Sequence, residues 1–305
     1  MGAIFLSLIS TYLLIMLGFM AKATLKEKLD ERTLVLVSIY FLQPMLNFWG
    51  LMRIPIDHTL ILAPVYYLVI VLAMLPLLFL LGRRLFMDGK ERSIFIISGL
   101  VGNTANLGIP IGIAIFGEDS IPYTTIINIA NVFFVYTVGV YFYSRGNFSI
   151  RQSLLNVIKL PVLWFALLAI FCNLAGMRIH PSIDRILEMG AYASITIQLM
   201  IFGIYLHGSR VERLNLRLIA GVGTVKFILL PAVTILLLWF VPLPAVVKGI
   251  LFLELIMPLA IANVNFAALY ECRPKDLTVL VLITTILFMG IIFGVIDVLE
   301  YFGWR

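Results

Sequence analysis

The chain has 305 residues, 62% of them apolar and 12% charged, and a mean hydropathy of +1.08. Too little polar surface is left to cover a soluble globule of this length, which excludes a soluble enzyme or binding domain and indicates an all-α integral membrane protein. The formal charge of +6 comes from bases gathered between apolar spans, where it reports membrane orientation. No stretch interleaves bases with aromatics as a nucleic-acid surface does, so no nucleic-acid partner is expected.

A bilayer core asks about 17–25 apolar residues of a helix. Charges and turn residues cut the chain into about ten such spans, near residues 3–21, 33–52, 59–81, 93–116, 122–143, 160–176, 190–207, 218–240, 249–270 and 277–299. The first has neither a basic lead-in nor a small-residue cleavage site, and it reads as a retained span, not a signal peptide. The second carries Gln43 and Pro44 and the third Pro64. The fourth is interrupted at mid-depth by Gly102-Asn103-Thr104-Ala105-Asn106-Leu107-Gly108-Ile109-Pro110. The fifth presents Asn128 and Asn131, three apart and so on one helix face.

In the second half the seventh span holds Thr196 and Gln198, and the eighth Lys226 and Pro231. The ninth has Glu254 one turn before a second interruption, Met257-Pro258-Leu259-Ala260-Ile261-Ala262-Asn263-Val264-Asn265. Trp49, Trp164, Trp239 and Trp304 fall near span ends, where tryptophan anchors a helix at the interface. His58, His180 and His207 lie at span ends or in connections. Cys172 and Cys272 are too far apart in the topology for a disulfide, and no metal site is indicated.

Basic residues crowd the odd connections: Lys22, Lys26, Lys28 and Arg32; Arg83, Arg84, Lys90 and Arg92; Arg145, Arg151 and Lys159; Arg210, Arg213 and Arg217; Arg273 and Lys275. Even connections offer only Arg53, Arg178, Arg185 and Lys248, and the fourth shows Glu118 and Asp119 instead. The positive-inside rule places the odd connections in the cytoplasm and both termini outside. Five spans on each side of the basic connection near 144–159 make two repeats, residues 1–150 and 151–305, and an odd count per half inverts one against the other.

Gly and Pro interruptions at membrane depth survive only where freed backbone is buried in protein or lines a cavity, and paired interruptions in the two halves point to a transporter's binding site. With this topology both restarted half-helices aim their positive N-terminal ends at the midplane, which favours a small carboxylate. Asn103, Asn106, Asn263 and Asn265 donate and accept hydrogen bonds without permanent charge. They are candidate ligands together with Gly108, Pro110 and Pro258 at the breaks. Asn128 and Asn131 back the fourth-span break, either as ligands or behind them. Gln43 and Gln198 either face the cavity or bond across helices. Glu254 either takes up a proton or cation, or pairs with a neighbour near the outer surface; Lys226 either balances substrate charge, or snorkels or pairs with a helix.

Gly-Asn-Thr-Ala-Asn-Leu-Gly-Ile-Pro at 102–110, Phe116-Gly117-Glu118, Asn128-x-x-Asn131, Lys226-x-x-x-x-Pro231 and Glu254-x-x-Met257-Pro258 together resemble the bacterial auxin efflux carrier family over the whole chain. The resemblance implies the fold of bile-acid symporters and sodium/proton antiporters: ten helices, two inverted five-helix repeats, and crossed, broken fourth and ninth helices. It also implies a scaffold of helices one, two, six and seven that forms a homodimer, a transport core of the other six, and a place in the bacterial inner membrane. Asn128 stands where the family commonly has an acid, and Thr196 where it commonly has proline. The long cytoplasmic loop of the plant hormone carriers is absent from the sequence, so auxin is not implied as substrate.

A secondary carrier for a small organic anion such as malate or malonate is the leading expectation, working by alternating access, without a cofactor and with coupling to protons or sodium open. Cation antiport on the same fold is the alternative, although the fifth span offers Asn128 and Asn131 where paired carboxylates would serve it. An intramembrane enzyme would need a nucleophile and base at depth. The histidines are peripheral, and the usual hydrolase, metalloprotease and phosphate-loop motifs do not occur.

Overall fold

The computed structural model describes residues 2–144, 158–208, 215–260 and 262–305, and every regular element among them is helical. In chain order these are α1 (Gly2–Leu25), α2 (Glu31–Met52), α3 (His58–Leu85), α4 (Gly89–Leu100), α5 (Ile109–Phe116), α6 (Glu118–Tyr143), α7 (Pro161–Leu174), α8 (Pro181–Gly208), α9 (Leu216–Phe240), α10 (Ala245–Ile256), α11 (Ala262–Leu269) and α12 (Pro274–Tyr301). Among the described residues seven helices are long and apolar enough to cross a membrane, counting Gly89–Phe116 as one. Arg145, Arg151, Arg210, Arg213 and Ile261 lie outside the described residues.

The largest departure from the expected boundaries is at α8, which starts at Pro181, well before the expected residue 190. Asp184, Arg185 and Glu188 end the apolar span, yet they do not end the helix. All three tolerate helical geometry, and a helix continues past hydrocarbon wherever its outer turns meet water. Four helices carry π-turns, at Ser38–Leu42, Thr104–Gly108, Val135–Gly139 and Val225–Leu229. Three of these end two residues before a proline: Pro44, Pro110 and Pro231. A helical proline has no N–H to give and crowds the carbonyl four residues back. The wider π-turn absorbs that misfit, so these prolines bulge their helices without breaking them.

The chain forms two compact units, one of Met1–Ile61, Ala105–Ile126 and Ile158–Ser209, the other of Leu62–Thr104, Ile127–Val157 and Arg210–Arg305. The first unit is organised by α1 lying against α8. The backbones touch: a Cβ on Gly203 would stand 1.8 Å from the Ile15 carbonyl oxygen, and one on Gly18 would stand 2.0 Å from that of Met200. Small residues permit such approach where lipid gives helices no hydrophobic reason to associate. Gly203→Ala is therefore expected to force the pair apart and lower stability by more than about 3 kcal/mol, read as an early melt and poor recovery in detergent. Asn173 of α7 closes the end of α2, its Nδ2 donating to the Leu51 and Ile54 carbonyls at 2.8 and 2.7 Å. Glu118 accepts from Arg53 at 2.9 Å and from the Tyr192 hydroxyl.

In the second unit α4 is the most thoroughly enclosed helix, with every residue from Ser93 to Leu100 buried. Its start is tied down by Arg273, whose guanidinium reaches Asp88 at 2.8 Å and Glu91 at 2.6 Å, while Asn215 Nδ2 donates to the same Glu91 at 3.0 Å. Burial raises the Asp88 carboxyl, but the backbone amides of Glu91 and Lys90 and the Arg273 guanidinium outweigh it and hold the group below its ordinary 3.8. A lowered carboxyl stabilises the fold above the unfolded-state value and loses that contribution as pH falls through the folded-state value. The melting temperature should accordingly fall below about pH 4, and Asp88→Asn should flatten that part of the profile.

Candidate functional site

Four consecutive residues following α4 each engage a different part of the second unit. Val101 is extended, with ψ at 135°, and its carbonyl accepts from Lys226 Nζ of α9 at 3.0 Å. The Gly102 carbonyl accepts from Asn131 Nδ2 of α6 at 3.0 Å. The Asn103 amide donates to the Pro258 carbonyl in the second interruption at 2.7 Å. The Thr104 hydroxyl donates to Asn128 Oδ1 at 2.8 Å and accepts from Asn131 Nδ2 at 2.9 Å. Tyr67 of α3 donates to Asn131 Oδ1 at 3.0 Å, so Asn131 is saturated by protein. Asn128 differs: its Nδ2 is buried and has no acceptor among the described residues.

This arrangement revises the place of the break. Of the interruption at 102–110, only its head is non-helical: helical geometry stops at Leu100 and resumes as a π-turn at Thr104, ahead of Asn106 and Pro110. Gly102 is the reason, since a Cβ there would meet Met257 Cβ at 3.1 Å and the Glu254 and Met257 carbonyl oxygens at 3.2 Å. The two interruptions approach closely, and a side chain at 102 would require its neighbours to give by a few tenths of an ångström. Pro110 sits in the first turn of α5, where its missing N–H leaves no bond unmade.

Lys226 does not snorkel. It is fully buried, and its ammonium is directed at the carbonyl end of α4, where the helix dipole is negative and the last carbonyls lack helical donors. Glu254 is not an interfacial acid with a neighbour: it too is fully buried, and among the described residues neither carboxylate oxygen has a hydrogen-bond partner. Within the second break the Leu259 amide donates to the Thr284 hydroxyl at 3.3 Å. Asn263 donates its Nδ2 to the Ala260 carbonyl at 3.0 Å and accepts from the Tyr143 hydroxyl at 3.0 Å. Asn263 thus braces the restart of α11. The side chain of Asn265 lies outside the described residues.

The structure gathers Asn103, Asn128, Asn131, Lys226 and Pro258 around residues 101–104, and Glu254 meets the same stretch through its carbonyl. Asn106, Gly108, Pro110, Gln43 and Gln198 belong to the first unit. Gln198 does not bond across helices: its Nε2 donates to Ser194 Oγ at 2.8 Å, one turn back on its own helix, and its Oε1 is buried without a partner. Trp49 and Trp304 are interior side chains, 1% and 5% exposed, so they are not interface anchors. Trp49 packs under the Arg53 guanidinium at 4.7 Å.

Sequence reasoning passed over Thr104, Tyr67, Tyr143 and Asn47. Tyrosines in apolar spans carried a usable signal, because a buried phenol needs a partner. Asn47 carried another: it follows Gln43 by four residues on one face of α2, and both ends of its fully buried carboxamide lack a partner.

Two stretches of the chain, residues 3–151 and 147–296, match the family model of membrane transport proteins. The chain belongs to this family, the auxin efflux carriers. An uncharacterized transporter of Methanocaldococcus jannaschii is 27% identical over 215 residues, 68% of this chain and 69% of that protein. The membership makes the chain a multi-pass membrane transport protein and not an enzyme. In this auxin efflux carrier family member, the Asn128 Nδ2 and the Glu254 carboxylate near residues 101–104 are buried polar groups with no partner among the described residues, an arrangement that is costly inside a membrane protein.

Proposed function

We propose that this carrier moves a small organic anion, a mono- or dicarboxylate, across the bacterial inner membrane by alternating access, with both termini outside and its third to fifth and eighth to tenth spans as the transport core. The observation that carries the reading is the buried Lys226 ammonium at the break, whose one acceptor among the described residues is the Val101 carbonyl, three residues before the Thr104 that bonds Asn128, whose Nδ2 has no partner among those residues. An ammonium offers three donors and a carboxamide two, so both have capacity for a carboxylate. When Lys226 is protonated, a positive charge with one carbonyl partner among the described residues favours an anion over a cation as the species bound there. The carboxamides around it accept the substrate and tolerate its departure, as alternating access requires.

Glu254 supports coupling. A fully buried carboxyl with no bonded partner needs a proton or sodium ion to balance it whenever it ionises. We favour the proton: exchange by wild-type protein should rise as the pH of the loading side falls, and Glu254→Gln should keep exchange while losing that dependence. A sodium requirement that disappears in Glu254→Gln would assign the coupling to sodium instead.

Counterflow of labelled acids into liposomes loaded with single mono- or dicarboxylates, with pH and sodium varied, tests the proposal. Saturable exchange of one acid above protein-free liposomes supports it. Absence of exchange by folded protein across the panel, with sodium or proton flux after an ion jump, would replace it with cation antiport.

A further inference from the structure

The second unit carries a groove of about 430 Å³, lined almost wholly by apolar atoms, between the end of α3, the middle of α4 and the first four turns of α9. Leu81, Leu85, Phe95, Ala220 and Leu229 line it, and Arg217 stands among them. Its size falls in the range of small-ligand sites, about 300–1,000 Å³. Leu85 and Ala220 are exposed, so the groove opens on the outer face of the helices, at the end of the apolar span where Arg83 and Arg84 follow.

The only strong polar group there is Arg217, and among the described residues it forms no ion pair. Its guanidinium lies over the Phe86 ring at 5.9 Å, which leaves its N–H edges available. Phe86 is itself fixed against Phe95, with ring centroids 5.1 Å apart, so the platform under the arginine is rigid. Arg83 and Arg84, at the same end of α3, add positive field and likewise have no carboxylate partner among the described residues. A planar guanidinium held at the rim of an apolar slot matches a phosphate above an acyl chain, in geometry and in charge.

We propose that this groove is a binding site for an anionic phospholipid, with one acyl chain in the slot and the phosphate on Arg217. It is separate from the substrate site and does not rest on the organic-anion reading. It assigns Arg217 a role that orientation alone does not require.

The test is titration of phosphatidylglycerol and of phosphatidylcholine with identical chains into the purified, delipidated full chain in detergent, read by native mass spectrometry and by melting temperature. Phosphatidylglycerol is expected to bind roughly fivefold more tightly, the value of one basic residue at a lipid surface. Arg217→Gln should bring it down to the phosphatidylcholine level, and Ala220→Trp, which fills the slot from an exposed position, should weaken both lipids. Equal affinity for the two lipids in wild-type protein, or unchanged discrimination in Arg217→Gln, overturns the headgroup assignment. Undiminished binding in Ala220→Trp, or equal stabilisation by glycerol phosphate without chains, overturns the groove.

Discussion

Lys226→Met is expected to abolish transport while leaving the folded protein as stable as wild type, or more so. The two side chains have similar volume, and exchanging a buried charge for a well-packed apolar group is often neutral or stabilising, by about 1–4 kcal/mol. Lys226 has a single protein acceptor, the Val101 carbonyl at 3.0 Å, so only that oxygen loses a donor. A substrate carboxylate drawn to the break loses its countercharge. Loss of one buried charge partner is worth about 3 kcal/mol or more, on the order of a hundredfold in affinity. Stability and activity thus move in different directions, which distinguishes a substrate-binding lysine from a structural one. A structural lysine would lower the melting temperature and spare transport in whatever folded protein remained.

Asn131→Ala is expected to do the opposite, losing transport and stability together. Asn131 is 5% exposed and holds Tyr67 Oη at 3.0 Å, the Gly102 carbonyl at 3.0 Å and Thr104 Oγ1 at 2.9 Å. Each buried group left unpaired costs about 1–3 kcal/mol in water-soluble proteins, whereas bonds between membrane helices average nearer 0.6 kcal/mol. Three losses at one point give a destabilisation of about 2–4 kcal/mol. Tyr67→Phe removes one bond and should cost about 1 kcal/mol with transport retained. Wild-type melting in Asn131→Ala would mean that the network does not hold the break.

Membrane class was legible in composition alone, because no arrangement of this chain could cover its apolar surface with polar groups. The interruptions were legible as well, since glycine, proline and carboxamides stand out against hydrocarbon. Their exact seat was not. Gly102 decides it through Met257 and the Glu254 carbonyl, partners far along the chain that no local pattern reveals.

Prolines misled for a related reason. Pro110 reads as a breaker, yet the π-turn before it accommodates the ring, and local sequence does not say whether a helix will bulge or break. Lys226 and Glu254 stand out in the spans as ionisable groups, whereas their burial and orientation did not follow from the sequence. A lysine two turns from a helix end reaches either the interface or a neighbouring helix, and the choice belongs to what packs around it. The same holds for Trp49, close to a helix end in sequence and interior in the fold.

The most direct measurement is equilibrium binding of the transported carboxylate, in labelled form, to purified wild-type protein and Lys226→Met in detergent, where no gradient or orientation intervenes. A substrate site at residues 101–104 predicts saturable binding by wild type and its loss in a variant that melts at the same temperature or higher. Equal binding by the two proteins would contradict that site and move the anion away from the break.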